Sequence, residues 1–146
     1  MTDRPPPNAP RRWNVEVEGI RWLPRMTDKA RMSANGTLGA YLLGHSPVDR
    51  ALLVRLGLST DEFAALAAGC EDDRAVLDAL RRRGFDEARV RNWSDRFEAT
   101  YRTYIHLWDV DEGYVAPSPV ERVMLSAFRP VEGAVMAAAR KFLPRP

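Results

Sequence analysis

Between residues 46 and 84 the chain spells out three helices in succession, each with its own start and stop, and this punctuation leaves little room for a sheet. Ser46-Pro47 opens the first, with serine as cap and proline in the first turn, and Gly57 closes it. Its apolar stripe is Val48, Leu52, Leu53 and Leu56. Ser59-Thr60-Asp61-Glu62 fits a capping box, in which the serine and glutamate side chains each take a free backbone N–H. The helix it starts carries Phe63, Leu66 and Ala67 up to Gly69. Asp72 or Asp73 caps the third, with Val76, Leu77 and Leu80 on its buried side and Gly84 at its end. The second and third, tightly connected, read as an antiparallel pair.

The flanking regions extend this pattern. Asp86 is placed to cap the longest helix, about residues 87–108, and Val90, Trp93, Phe97, Tyr101, Tyr104, Ile105 and Trp108 share one narrow face of it at helical spacing. At 1.5 Å per residue this is a rod of ~33 Å, the central beam of the expected fold. Residues 109–117 read as an acidic, glycine-containing turn. Ser118-Pro119-Val120-Glu121 is a second capping box. Val123, Met124, Ala127 and Phe128 follow it, then Pro130, which predicts a break or kink, then Val131, Val135, Ala138 and Phe142. Upstream, a helix is predicted from Pro24 to Asn35 with Gly36 as its stop, and a short one around Leu38 to Leu43. Trp13, Val15 and Val17 alternate with polar residues up to Gly19, but this would be a strand without a partner, so it reads as an extended segment on the helices. Pro5, Pro6, Pro7 and Pro10 make residues 1–12 an extended or disordered arm. The expected fold is therefore all-α: a proline-rich arm over 1–12, then one helical domain over 13–146, a compact bundle of six or seven helices. In it the Pro24–Asn35 helix packs closely on the central beam.

Composition narrows the functional classes. A chain of 146 residues, 45% hydrophobic and 29% charged, is long enough and apolar enough to bury a core. Its net charge is only +2, and all but two of its 22 basic residues are arginine, an enrichment that reads as coding bias rather than a nucleic-acid ligand. One cysteine, Cys70, excludes an internal disulfide and a paired-thiolate metal site, and its acidic neighbours Glu71, Asp72 and Asp73 would raise its pKa and disfavour a catalytic thiolate. No apolar run approaches the ~20 residues needed to cross a bilayer, and the start lacks the apolar stretch of a signal peptide, so the expectation is cytoplasmic, with no membrane and no cofactor. His106 flanks the aromatic stripe, and with only the distant His45 as companion it makes no metal site.

One segment differs from the rest. Arg25, Asp28, Lys29 and Met32 fall on one helical face, while Met26, Ala30, Ser33 and Ala34 form a second, narrow face of mostly small residues. Such a face lets another backbone approach, pressing the neighbouring charges toward burial, where they must pair or bear a heavy desolvation cost. The run Leu23-Pro24-Arg25-Met26-Thr27-Asp28-Lys29-Ala30-Arg31, then Gly36-Thr37-Leu38-Gly39-Ala40-Tyr41, then Pro47-Val48-Asp49, resembles domain-of-unknown-function family 5069. These are short bacterial proteins with an R-M-x-D-K-x-R segment near the start. Leu58 to Phe63 is similar to the family's continuation, and the resemblance covers roughly residues 20–110. It implies no activity, because the family has none established.

The residues themselves allow two readings. Arg25, Asp28, Lys29, Arg31, Tyr41 and Asp49 can hold the first helix in register as a buried ion network, a device that specifies geometry more than it stabilises. Alternatively, Arg25, Lys29 and Arg31 bind a phosphate or carboxylate, with Asp28 orienting an arginine and Tyr41 and His45 moving protons. With no complete catalytic constellation, the leading expectation is a non-catalytic module that binds a protein partner or a small anionic ligand. The alternative is a small or degenerate enzyme using Arg25, Asp28, Lys29, Tyr41 and His45. A third reading is weak nucleic-acid binding through the Arg81–Arg96 face. Interleaved Asp72, Asp73, Asp78, Asp86, Glu87 and Asp95 argue against it and for a salt-bridged surface.

Overall fold

A computed structural model describes residues 8–124 and 126. Residues 1–7 of the proline-rich arm lie outside them, as do Ala127, Phe128, the expected break at Pro130 and everything that follows it. The chain starts with a hairpin, β1 (Glu16–Val17) and β2 (Ile20–Arg21), which pairs Glu16 with Arg21 and Val17 with Ile20. Here the sequence reading is corrected: the strand does have a partner, and it is the next segment. Glu18 and Gly19 both take positive φ, 46° and 82°, as a type I′ two-residue hairpin turn requires. Glutamate in place of the usual Asn or Asp hid that turn.

Helix α1 (Leu23–Ala34) follows at once, one residue longer at its start than expected. It is the true centre of the fold. Leu23 to Thr27, Lys29 and Ala30 are all buried, and the helix packs on the helices Thr60–Ala68 and Asp73–Arg83 as well as β1. Met26 and Ala30 form its close-approach face, whereas Ser33 and Ala34 are exposed in the last turn. No helix forms over 38–43; these residues make a turn and loop instead. Two glycines at positive φ, Gly39 and Gly44, break any helical run there. A Cβ on Gly44 would lie 2.0 Å from Thr60 Oγ1, so only glycine fits.

The three punctuated helices form as expected: α2 (Pro47–Leu56), α3 (Thr60–Ala68) and α4 (Asp73–Arg83). Ser46 accepts from the Asp49 N–H, the Ser59/Glu62 capping box is complete, and Asp72 caps α4 by accepting from the Ala75 N–H. Val48, Leu52, Phe63, Ala67, Val76, Leu77 and Leu80 are all sealed in the core.

The long beam does not exist as one rod. It divides into α5 (Glu87–Asp95), a single turn α6 (Phe97–Thr100) and α7 (Arg102–Asp111). The breaks fall at Arg96 and Tyr101, where neither proline nor glycine stands. Just before the first, Ser94 Oγ donates to the Gly19 carbonyl and accepts the Arg21 N–H, fastening the end of α5 to the hairpin. Just after it, Phe97 is fully buried against the rings of Trp13, Trp22, Trp93 and Tyr101. A straight 33 Å rod cannot stay tangent to so small a core, and the chain bends around the buried ring. Tyr104, expected on the buried stripe, is consequently half exposed, and α1 packs mainly on α3 rather than on this segment. Helix resumes at residue 119, where the Ser118/Glu121 capping box is complete.

Two carboxylates at helix starts carry an acid sensitivity. Glu87 is held down to about 2 by hydrogen bonds from Arg81 and then Arg91. Glu121 is held down to about 2 by the Ser118 backbone N–H and then His106. A depressed carboxylate stabilises fully above its ordinary value near 4.5 and loses that contribution as pH falls through its folded value. Helicity by circular dichroism is therefore expected to fall between about pH 4.5 and 2, and Glu87→Gln should flatten part of that slope. A flat wild-type profile over this interval would contradict the assignment.

Candidate functional site

The charged residues of segment 25–31 leave α1 in different directions and meet different partners. Lys29 points inward to Asp49, which is 0% exposed at the start of α2. The ammonium donates to both carboxylate oxygens, at 2.6 and 2.5 Å, and to the Leu42 carbonyl at 3.0 Å. Asp49 also accepts the Trp22 indole N–H at 2.8 Å and the Gly44 N–H at 2.9 Å. Burial pulls the Lys29 ammonium below its ordinary value, against the opposing pull of Asp49. Trp22 is held at φ 69°, a left-handed conformation costly for a bulky side chain. Its ring contacts fix it there: it packs on Phe97 and Trp108 and lies within 5.3 Å of both the Lys29 and Arg25 charges.

Arg25, over the same Trp22 ring, takes a different carboxylate. Its guanidinium pairs in two-pronged fashion with Glu112, donates to the Arg11 carbonyl at 2.9 Å, and lies over the Tyr41 ring at 5.6 Å. Both charges are at most 5% exposed. Arg25 Nε and the Thr27 hydroxyl are buried without hydrogen-bond partners among the described residues. Tyr41 is pushed up to about 12, first by burial and then by the Glu112 charge.

Asp28 faces the incoming arm. It accepts from the Arg11 backbone N–H, Nε and Nη2, each at 2.8 Å, and the same guanidinium reaches Asp73 on α4 at 2.5 and 2.8 Å. Arg12 pairs with Asp109 at 2.8 and 2.9 Å and stacks over Tyr114. The last residues of the proline-rich segment are thus clamped onto the body. Because the Arg11–Asp28 pair is partly solvated, Asp28→Ala is expected to cost about 1–2 kcal/mol in urea denaturation, well below the loss for a sealed pair. A loss as large as that of Asp49→Ala would refute this ordering.

Arg31 makes one hydrogen bond, to the Cys70 carbonyl at 3.1 Å, and has no ion pair among the described residues. It borders an open crevice of about 230 Å³ between the arm and the end of α1, lined also by Asn8, Ala9, Asp28, Met32, Asn35 and Thr37. His45 is exposed on the loop before α2, and no hydrogen bond joins it to any of these residues. Of the seven residues singled out from the sequence, the structure joins Lys29 with Asp49, brings Tyr41 to Arg25, and sets Asp28 and Arg31 at the crevice. The partners that sequence reasoning missed are Arg11, Arg12, Trp22, Asp73, Asp109 and Glu112. The one local signal was the i, i+3 spacing of Asp109 and Glu112, and it fell in a stretch read as an acidic, glycine-containing turn.

On the basic face, Arg81 pairs with Glu18, Asp78 and Glu87, and Arg91 with Glu87. Asp72 and Asp86 are occupied as helix caps, and Asp73 is taken by Arg11. Arg82, Arg83, Arg89 and Arg96 are exposed and form no ion pair among the described residues. In the same residues no three His, Cys, Asp or Glu side chains gather as a metal site would need, and no helix is long and apolar enough to cross a membrane.

No curated protein and no solved structure matches the chain. Residues 7–106 do match a family, over a span that takes in the hairpin, the segment 25–31 and the aromatic turn at Phe97, so the chain belongs to the family described as Domain of unknown function (DUF5069).

Proposed function

We propose that this protein is a non-catalytic, cytoplasmic binding module whose ligand is a small anion, a carboxylate or phosphate, held in the crevice beside Arg31. The observation that carries the reading is how the charges are spent. Arg25 and Lys29 are each sealed in a pair with a carboxylate, and Asp28 is neutralised by Arg11. Of the three cations of the cluster, Arg31 is the one that borders the open crevice, and among the described residues it spends its guanidinium on a single carbonyl, beside Asn8 and Asn35. A guanidinium with free N–H groups suits a planar or tetrahedral anion. The crevice is smaller than the roughly 300–1,000 Å³ usual for larger ligands, which favours a small one. Arg25 and Lys29 as buried structural pairs, rather than ligand contacts, belong to the same reading.

The enzyme alternative has less support, because Arg25, Lys29, Tyr41 and His45 do not converge on the crevice. Nucleic-acid binding keeps one supporting observation, the exposed Arg82, Arg83, Arg89 and Arg96 with no ion pair among the described residues, and it predicts a gel shift that weakens steeply with salt. No shift at low salt removes it. For the anion reading, thermal-shift measurements with inorganic phosphate and small dicarboxylates are expected to raise Tm. Arg31→Ala should abolish the rise while leaving the ligand-free Tm within a few degrees. An equal rise in the variant, or none in the wild type across the panel, would end the proposal.

A further inference from the structure

The crevice beside Arg31 is not built by one element. Asp28, Arg31, Met32 and Asn35 come from α1 and its end, whereas Asn8 and Ala9 come from the arm. The arm is fixed just past those two residues. Arg11 is gripped at every polar group it has. Its N–H and guanidinium donate to Asp28, the guanidinium also reaches Asp73 and the Pro24 carbonyl, and its own carbonyl accepts from Arg25. Trp13 then enters the core against Phe97. Arg11 itself does not line the crevice. Yet of the three hydrogen bonds that Asp28 accepts among the described residues, two come from the Arg11 side chain.

Asp28 matters because of where it stands. It and Arg31 are three residues apart on α1, the spacing at which a carboxylate and a guanidinium on one helix surface reach each other. With the arm docked, Asp28 is turned to Arg11, and Arg31 forms no ion pair among the described residues. With Arg11 gone, Asp28 is a bare carboxylate one helical turn from Arg31, and the two neutralise each other. The guanidinium that would take an external anion is then engaged within the chain. We infer that Arg11 is the switch of the anion crevice: docked, it completes the wall and draws Asp28 off Arg31; released, it opens the wall and lets Asp28 occupy Arg31 as an internal competitor. This rests on the anion reading of the crevice and adds what regulates it. Linkage makes the effect reciprocal, so an anion that binds the docked form holds the arm down. A site competent only when docked loses apparent affinity in proportion to the undocked fraction.

In titration calorimetry with inorganic phosphate and with succinate, Arg11→Ala is expected to weaken binding at least tenfold. Asp28→Asn should recover several-fold in that background and less where Arg11 is present, because only a released Asp28 competes for Arg31. The Arg11 pairs are partly solvated, so Arg11→Ala is expected to fold, with circular dichroism as the check. Should that variant unfold, the wild type decides. Trypsin cleaves after Arg11 and Arg12 once the arm is released, and saturating ligand should slow that cleavage in the wild type but not in Arg31→Ala. Three results would each overturn the switch and leave a fixed anion site: binding lost in Arg31→Ala but kept in Arg11→Ala, equal gains from Asp28→Asn in both backgrounds, or tryptic release indifferent to ligand. A wild type that binds neither ligand ends both readings.

Discussion

Asp49→Ala is expected to lower stability by roughly 3–5 kcal/mol, the cost typical of stranding one member of a buried ion pair. For a domain of this size that corresponds to a fall in Tm of about 10 °C or more. The loss is large because three donors depend on this carboxylate. Lys29 would keep only the Leu42 carbonyl, and the Trp22 indole and Gly44 N–H groups would lose their acceptor inside the core. Trp22, strained at positive φ, would lose one of its anchors as well. The double variant Lys29→Met/Asp49→Asn should recover part of the loss. It removes both charges and keeps a side-chain oxygen for the indole N–H, and apolar replacement of a buried pair is often close to neutral. A double variant as unstable as Asp49→Ala would show that the stranded charge is not the cause.

Glu112→Gln carries the second large effect and has an optical readout. Arg25, sealed at 4% exposure, would be left with the Arg11 carbonyl, a neutral amide and two aromatic faces, and the expected loss is again about 3–5 kcal/mol. Glu112 also helps to hold the Tyr41 phenol up near 12. Removing that negative charge should move Tyr41 down toward its ordinary value of 10.0, though not fully, because burial is the larger cause. Ultraviolet titration of phenolate absorbance, differenced against the Tyr41→Phe variant, isolates this group. A Tyr41 titration unchanged in a folded Glu112→Gln protein would mean that the Arg25–Glu112 pair does not lie beside it.

What the sequence made legible was whatever is decided within a few residues. The Ser46, Ser59, Asp72 and Ser118 caps, the glycine stops and the stripes of α2 to α4 depend on local hydrogen bonds and on a 3.6-residue period, and they can be read without knowing what lies opposite. The small-residue face was partly legible: Met26 and Ala30 are sealed, but Ser33 and Ala34, expected beside them, stand exposed in the last turn. The hairpin was half legible: its alternation was plain, but a Glu-Gly turn at positive φ carries no strong signature.

Only the tertiary structure chose the partners. Arg25 finds Glu112 across 87 positions and Arg12 finds Asp109 across 97, and nothing in the spacing of one charge encodes the location of its counter-charge. The broken helix has the same origin. The aromatic stripe from Trp93 to Trp108 satisfies a straight helix locally, but Phe97 must also reach Trp13 and Trp22, and burying that ring bends the chain at Arg96 and Tyr101. Local bonding sets where helices begin and end. Packing decides which of them is central, which charges are sealed in pairs and which stay near the surface.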